Sequence, residues 1–181
     1  MRLFVGIRFD EPVNRYLKTV SEYAITHASS GKTTAYEHFH LTLTFIGELP
    51  GYRLDELIQA LDDHLENTRA FRVRFHDMGS FIRNQEHTVW IGVIDKDKTL
   101  LTLNKRVCEA LDDVNVDYDK KRFFPHITLA RRVIFGEISI PLTIPYYSKD
   151  VWVRNITLFK SHRHLDQLIY TPIHNITLLD G

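Results

Sequence analysis

Two short stretches of this 181-residue chain share one pattern: His40-Leu41-Thr42-Leu43 and His126-Ile127-Thr128-Leu129. In each stretch, a histidine and a threonine stand two residues apart within an apolar run. Alternate residues of a β-strand point to the same face, so each stretch predicts a strand that presents an imidazole and a hydroxyl together. The leucine and isoleucine residues between them predict that the other face of each strand is buried.

The two stretches belong to a longer internal repeat. The histidines are 86 positions apart, and so are Gly6 and Gly92, each of which lies in an apolar strand before a predicted helix. At the same offset, without a gap, further residues correspond: Phe4 and Trp90, Ile7 and Val93, Leu17 and Leu103, Ala24 and Ala110, Thr42 and Thr128. We infer a duplicated unit, with copies at about residues 1–80 and 86–160. Pseudo-twofold packing of the copies would set both histidines against one central groove.

Hydrophobic spacing along the chain predicts an α+β fold in a single two-lobed domain, residues 1–181. Strands are predicted at residues 2–8, 40–46, 71–77, 80–84, 87–94, 126–134, 151–159 and 167–178, and amphipathic helices at 11–24, 54–65 and 97–114. Asp10 is expected to cap the first helix. Loops are expected at residues 29–32 and around Pro141 and Pro145. The C-terminal strand would complete the sheets of the two lobes.

Composition excludes several classes of protein. Lys+Arg and Asp+Glu both number 23, and the resulting zero net charge argues against a broadly basic nucleic-acid-binding surface, though not against a local basic patch. The single cysteine, Cys108, excludes an intramolecular disulfide and a cysteine-based zinc cluster, and fits a reducing compartment. The N-terminal residues do not resemble a signal peptide, and no apolar run reaches membrane-spanning length. We therefore expect a cytoplasmic protein.

Two histidines that share a groove can divide acid–base catalysis between them. The unperturbed pKa of an imidazole is about 6.5, so a neutral and a protonated ring can coexist near neutral pH. At a phosphodiester, one ring would take a proton from the attacking water and the other would give a proton to the leaving oxygen. The hydroxyls of Thr42 and Thr128 could donate hydrogen bonds to the non-bridging phosphate oxygens. Such chemistry needs no metal ion or cofactor.

Each motif also has a purely structural interpretation. A single histidine in an apolar strand is more often a hydrogen-bonded structural residue, and threonine is common in strands because of its shape. Recurrence of both residues at equivalent positions of the repeat is what favours a site. A zinc site would need a third protein ligand, and the neighbouring histidines show no spacing that repeats relative to both motifs: His38, His162 and His164.

Basic and aromatic residues near the second motif could bind a nucleic acid. Arg131 lies five residues after His126, an odd offset that places it on the opposite face unless a β-bulge intervenes, whereas Arg132 has the same parity as His126. Residues 120–122 form a basic run just before the second histidine strand. Together with aromatic residues near the motifs, this run could hold a phosphate backbone and stack a base: Phe39, Phe45, Phe123 and Phe124.

These features resemble the two-histidine (2H) phosphoesterase superfamily. Within it, the most similar group is that of the RNA 2′,3′-cyclic phosphodiesterases, also called bacterial and archaeal 2′-5′ RNA ligases or LigT-like proteins. The resemblance extends over nearly the whole chain, and the stretches that carry it are residues 2–7, 40–47, 125–131, 158–161 and 170–172. The doubled motif is specific for the superfamily and less specific for the substrate.

The resemblance implies a bilobal fold with antiparallel sheets lining a central cleft and helices outside. It implies metal-independent hydrolysis of an RNA 2′,3′-cyclic phosphate to a 2′-phosphate. By position, His40 would be the proton donor to the leaving 3′ oxygen and His126 the proton acceptor that activates water. Thr42 and Thr128 would orient the phosphate, and Arg131 matches a basic residue that follows the second motif. Run in reverse, the same site could join a cyclic phosphate end to a 5′-hydroxyl.

Two further functions stay open on the sequence alone. One is a different cyclic phosphodiesterase, acting on ADP-ribose 1″,2″-cyclic phosphate or on 2′-5′-linked oligonucleotides. The other is a module that binds RNA ends without turnover. For the leading interpretation, the expected partner is an RNA or nucleotide with a 2′,3′-cyclic phosphate end, and we expect a monomer with no obligate protein partner.

Overall fold

The computed structural model describes residues 1–136, 150–165 and 167–180. Its strands and α-helices, in chain order, are β1 (Arg2–Arg8), α1 (Glu11–Ala24), β2 (Ala28–Thr33), β3 (His40–Glu48), α2 (Leu54–Leu65), β4 (Phe71–Arg83), β5 (Glu86–Ile94), α3 (Thr99–Asp113), β6 (His126–Phe135), β7 (Val151–Val153), β8 (Asn155–His164) and β9 (Gln167–Thr177). The strands form one antiparallel sheet in the order β7-β4-β5-β6-β3-β1-β8-β9, with β2 paired to β6. The predicted α+β class is confirmed, and the predicted antiparallel sheets join edge to edge.

The join lies at the centre of the sheet, where β3 meets β6. Leu41 pairs with Ile127 there, and these two residues are 86 positions apart, the offset of the repeat. A twofold axis brings equivalent residues together only where it passes between them, so this pair marks the pseudo-twofold axis. Outward from it, β1 and then β8 flank β3, as β5 and then β4 flank β6.

Helices from each half pack against the histidine strand of the other half. Helix α1 follows β1, yet the hydroxyl of Ser21 donates to the carbonyl of Leu129 on β6 over 2.6 Å. Helix α3 follows β5, yet the amide of Asn104 donates to the carbonyl of Leu43 on β3 over 2.9 Å. Asp10 caps α1 as predicted, accepting from the backbone N–H of Val13 at 3.3 Å. The helices therefore cover one face of the sheet and tie its two halves together.

The two carbonyls that these helices contact belong to matching β-bulges. In β3, Val5 pairs with Thr44 and Gly6 with Thr42, so Leu43 is an extra residue. In β6, Val89 pairs with Ala130 and Trp90 with Thr128, so Leu129 is an extra residue at the equivalent position. An inserted residue is left out of the ladder and reverses the alternation of faces beyond it. The donors from α1 and α3 therefore compensate for a local interruption of sheet hydrogen bonding.

The repeated glycines have different roles in the two halves. A Cβ atom on Gly6 would lie 2.8 Å from the backbone oxygen of Leu41, so the approach of β1 to β3 requires glycine there. On Gly92 the nearest atom to a Cβ, the oxygen of Asp77, would be 3.4 Å away, which is an ordinary contact. The cause is strand register. Gly6 pairs with Thr42, whereas Gly92 pairs with His126 and not with Thr128, which is the equivalent of Thr42. A shift of two residues leaves the same side chains on the same face of the sheet.

Three predicted elements need correction. Residues 29–32 are not a loop but part of β2, an edge strand along the outer end of β6. Its side chains are mostly exposed, so no alternation of apolar residues announces it. Residues 71–77 and 80–84 form a single strand, β4, whose bulge between Phe75 and Met78 breaks the pattern. The strand predicted at 151–159 is interrupted at Arg154.

The β4–β5 hairpin is confirmed, with Asn84 and Gln85 in its turn at φ of 49° and 66°. Positive φ at both central residues is the geometry that matches the twist of a two-residue hairpin. The expected loop around Pro141 and Pro145 lies outside the described residues. Within the described residues, no helix is long and apolar enough to cross a membrane.

The contact between α3 and the β3 bulge gives a stability prediction. Asn104→Leu keeps the size of the side chain but removes the donor to the Leu43 carbonyl and to the Thr44 hydroxyl. We expect the free energy of unfolding to fall by about 1–3 kcal/mol, the cost of depriving buried polar groups of a partner. Urea unfolding with an unchanged m-value is the measurement.

Lys105→Ala is the matched control for this variant. Lys105 is the next residue of α3, and its side chain is 77% exposed. Its replacement should change the free energy of unfolding by less than about 0.5 kcal/mol. Equal stability of the two variants would contradict a structural role for the Asn104 amide.

Candidate active site

The four motif residues lie together at the pseudo-twofold axis. Because Leu41 pairs with Ile127 in an antiparallel arrangement, Thr42 lies beside His126 and His40 lies beside Thr128. All four side chains are half-buried and point away from the core, whereas Leu41 and Ile127 are fully buried. The two histidines are diagonal neighbours, for which Cβ atoms on paired strands are about 7–8 Å apart. One phosphate group is large enough to reach both imidazoles across such a gap.

Both imidazoles are held in the same way. Nδ1 of His40 donates to the backbone oxygen of His38 at 2.6 Å, and Nδ1 of His126 donates to that of Phe124 at 2.7 Å. A carbonyl oxygen can only accept, so Nδ1 carries a proton in each ring. Nε2 is therefore the nitrogen that gains and loses a proton. His38 and Phe124 are themselves equivalent in the repeat, so the duplication includes this tautomer-fixing contact.

The protein environment favours the neutral form of both rings. Burial lowers the pKa of His40 to about 4, although the hydrogen bond to the His38 carbonyl opposes the shift, and the positive charge of Arg131 lowers it further. Burial also lowers the pKa of His126, against the hydrogen bond to the Phe124 carbonyl and with the help of Arg131. Both rings are thus neutral at pH 7 in the free protein. A bound anion would favour their protonated forms.

Aromatic rings surround each imidazole. Around His40, the ring centroids lie 4.9 Å away for Phe4 and 5.0 Å away for Tyr170. Around His126 they lie 5.2 Å away for Phe81 and 5.7 Å away for Phe124. Phe81 and Phe124 are 47% and 45% exposed, so their rings are open to a ligand. Nucleobases stack on such exposed rings.

The structure brings Arg131 into the same cleft. The bulge at Leu129 reverses the alternation of faces, so Arg131 shares the face of His126 despite its odd offset. Its positive charge adds to the effect of burial in lowering the pKa of His40 and of His126, and it opposes the effect of burial that raises the pKa of Tyr170, so the guanidinium lies near all three. Because of the same reversal, the even offset of Arg132 from His126 no longer predicts that the two residues share a face. Arg132 lies at a second irregularity of β6 and has φ of 52°.

Most of the other residues suggested by the sequence have partners away from the motif histidines. Phe39 is fully buried, Phe123 packs against the core, and Phe45 lies 4.9 Å from the guanidinium of Arg2, so only Phe124 of the four aromatic residues lies against a motif histidine. In the basic run, Lys121 pairs with Asp119 at 3.1 Å, and Lys120 lies over the ring of Tyr118.

Several residues of the site are not predicted by the sequence. The repeat relates Phe4 to Trp90 but does not identify them as neighbours of His40 and His126; Trp90 lies 6.3 Å from His126, ring to ring. Tyr170 and Phe81 come from hairpins whose position depends on strand pairing, and no local pattern marks them. In the described part of the chain, no group of three or more His, Cys, Asp or Glu side chains is placed to hold a metal ion.

Comparison with known sequences gives one consistent family. A family model described as the 2′-5′ RNA ligase superfamily matches residues 13–164. A protein of Thermus thermophilus named RNA 2′,3′-cyclic phosphodiesterase is 32% identical, over 98% of this chain and 90% of its own length. Proteins of the same name from Thermotoga maritima and Escherichia coli are 27% and 24% identical, over 72% and 95% of this chain and 70% and 93% of their own lengths.

Solved structures share the fold. The crystal structure of TT0787 from T. thermophilus superimposes with a TM-score of 0.84 at 23% identity, covering 98% of both chains. The apo crystal structure of E. coli LigT gives a TM-score of 0.81 at 22% identity, covering 98% of this chain and 97% of that one. The likeness extends over the whole architecture, including both halves of the sheet.

The geometry predicts how the two histidines titrate. In ¹⁵N spectra, we expect Nδ1 of His40 and His126 to stay protonated at every pH, while Nε2 changes from unprotonated to protonated as the pH falls. Both pKa values should lie below 6.5, with that of His40 at about 4. In urea both should return to about 6.5, because burial is lost. A neutral ring protonated at Nε2 would contradict the geometry.

Proposed function

The chain belongs to the 2′-5′ RNA ligase superfamily, and from this membership we propose that it hydrolyses 2′,3′-cyclic phosphates at RNA 3′ ends to 2′-phosphates. The shared name of its relatives, RNA 2′,3′-cyclic phosphodiesterase, supports this substrate class. One observation carries the proposal: two equivalent histidines are diagonal neighbours on paired strands, and in each of them Nδ1 donates to a carbonyl, which leaves Nε2 as the nitrogen that exchanges a proton.

In the proposed reaction, water attacks the phosphorus and the bond from phosphorus to the 3′ oxygen breaks. Nε2 of His126 takes a proton from the water, and Nε2 of His40 gives a proton to the leaving 3′ oxygen. The product carries a 2′-phosphate, and the two rings exchange protons with solvent before the next turnover. His40 must be protonated at the start, so the negative charge of the cyclic phosphate has to raise its pKa on binding, against the effect of burial.

The threonines and Arg131 supply the anion-binding part of the proposed site. Thr42 lies beside His126 and Thr128 beside His40, so each hydroxyl can donate to a non-bridging oxygen of a phosphate that contacts both rings. Arg131 adds a positive charge near both histidines. A guanidinium is suited to phosphate because its donors are arranged in a planar fork.

With a 5′-hydroxyl in place of water, the same groups would form a 2′-5′ linkage. His126 would take the proton from the 5′-hydroxyl that attacks the phosphorus, the bond from phosphorus to the 3′ oxygen would break, and His40 would give a proton to that leaving oxygen. We propose this ligation as a secondary activity, since water at its bulk concentration favours hydrolysis. The proposed setting is that of a cytoplasmic monomer without an obligate protein partner.

The proposal is tested with His40→Ala and His126→Ala on a defined RNA 2′,3′-cyclic phosphate in EDTA. Each variant should lose a factor of about 10²–10⁴ in kcat, the range for a general acid or base. Product chromatography should show only a 2′-phosphate from the unmodified protein. Full turnover by either variant would exclude the two-histidine mechanism.

Other substrates separate the alternatives in the same assay. Faster turnover of ADP-ribose 1″,2″-cyclic phosphate or of a 2′-5′-linked oligonucleotide would replace the substrate class while keeping the histidine pair. Tight binding of the cyclic end without any product would point to a binding module.

Arg131 and Arg132 form a matched pair for testing the bulge. Arg131→Gln should lower kcat/KM at least tenfold, because it removes a charge that lies near both histidines. Arg132→Gln removes the same charge from the next residue and should change kcat/KM less than twofold. Steady-state kinetics on a cyclic mononucleotide is the measurement. The opposite order would mean that the alternation of β6 is not reversed in solution.

A further inference from the structure

A second charged surface lies at the edge of the sheet. It consists of Arg72 and Arg74 on β4, Trp152 on β7 and Arg154 just after β7, and we call it the arginine–tryptophan patch. The guanidinium carbons of Arg72 and Arg154 lie 4.6 and 4.8 Å from the centre of the Trp152 ring, and the tryptophan is still 39% exposed. Guanidinium groups stacked on an indole keep their N–H donors free to bind an anion.

This patch is on the same face of the sheet as the histidines. On β4 the buried residue is Val73, and on β7 the buried residues are Val151 and Val153, so Arg72, Arg74 and Trp152 point away from the core. Arg74 pairs with Ile94, which shares its face of β5 with Gly92. Gly92 in turn pairs with His126. Strand pairing thus connects the patch to the second histidine without a change of face.

The distance between them is short. Ile94 is two residues beyond the partner of His126, and β4 is one strand further out. With about 3.3 Å per residue and about 4.8 Å between strands, the Cα atoms of Arg74 and Trp152 lie about 12 and about 20 Å from that of His126. An extended single-stranded nucleic acid covers this distance within a few nucleotides.

The patch is basic in a chain whose net charge is zero. Asp150 pairs with Arg74 and, at 3.5 Å, with Arg72, and the carboxylate of Asp77 lies 3.1 Å from His76. Among the described residues, three guanidinium groups therefore stand against the carboxylates of Asp150 and Asp77. An excess of guanidinium groups beside an exposed indole is a combination that binds single-stranded nucleic acids.

We propose that the arginine–tryptophan patch binds the RNA strand on the 5′ side of the cyclic phosphate. A cyclic phosphate closes the 3′ end of an RNA, so the rest of the strand can only extend in the 5′ direction. The preferred substrate is then an oligonucleotide end and not a free cyclic nucleotide. This inference rests on the proposed function, because it assumes that the phosphate sits between the two histidines.

The test compares a 2′,3′-cyclic mononucleotide with an eight-nucleotide RNA that ends in the same cyclic phosphate. The unmodified protein should have a KM at least tenfold lower for the oligonucleotide. Arg72→Gln combined with Arg154→Gln should remove most of this advantage and leave kcat/KM for the mononucleotide unchanged. The slope of log KM against log salt for the oligonucleotide should fall by about 0.7 for each phosphate that the double variant no longer neutralises.

Three controls keep the result interpretable. Trp152→Phe keeps an aromatic ring at the edge and should retain part of the advantage, while Trp152→Ala should lose it. Lys105→Gln removes an exposed charge on the helix side and should change neither substrate's kinetics. Thermal unfolding of each variant identifies any loss that comes from misfolding of the edge strand.

The outcomes separate the two proposals. Equal KM values for mononucleotide and oligonucleotide, or an unaltered advantage in the Arg72 and Arg154 double variant, would overturn the patch while hydrolysis itself stands. If neither substrate is hydrolysed, the proposed function fails. Fluorescence anisotropy with a labelled eight-nucleotide RNA then decides the patch alone: weaker binding by the double variant supports it, and equal binding rejects it.

Discussion

The pairing of Leu41 with Ile127 is the constraint on which the site depends. Both side chains are fully buried, so the hydrophobic core itself holds β3 against β6. Because each strand alternates, fixing these two residues in the core fixes their neighbours on the opposite face. The two histidines and two threonines meet there. The arrangement of the four proposed site residues is in this sense a consequence of core packing at a pseudo-twofold axis.

The β-bulges next to this pair give the duplicated frame its asymmetry. Each bulge reverses the face on which the following residues lie. In β6 this reversal turns Arg131 to the histidine face, and in β3 it turns the equivalent residue, Phe45, to that face. The two bulges therefore bring a cation to the histidine face from the second half and an aromatic ring from the first. Burial differs as well, since it lowers the pKa of His40 to about 4. Two histidines that the duplication made alike are thus placed in unlike environments.

The sequence predicts those parts of the structure that follow from alternation and repetition. The spacing of His40 and Thr42, the offset of the second motif and the capping by Asp10 are all local or periodic, and the structure agrees with them. Alternation does not say where it is interrupted, so the face of Arg131 needed the observed register. Strand β2 is exposed on both sides and leaves no pattern. Phe81 and Tyr170 reach the histidines through hairpin pairing, which no local spacing encodes.

Two of the three helices that cover the back of the sheet carry more acidic than basic residues, although the net charge of the chain is zero. Helix α2 contains four acidic residues and no lysine or arginine, and α3 contains three acidic and two basic residues. These helices cover the side opposite the histidines, while Arg72, Arg74 and Arg131 are on the cleft side. Electrostatic attraction is screened within about 8 Å at physiological salt, so a polyanion responds to the face it approaches and not to the sum over the chain. The acidic helices would repel RNA from the back of the sheet, and the cleft side would attract it.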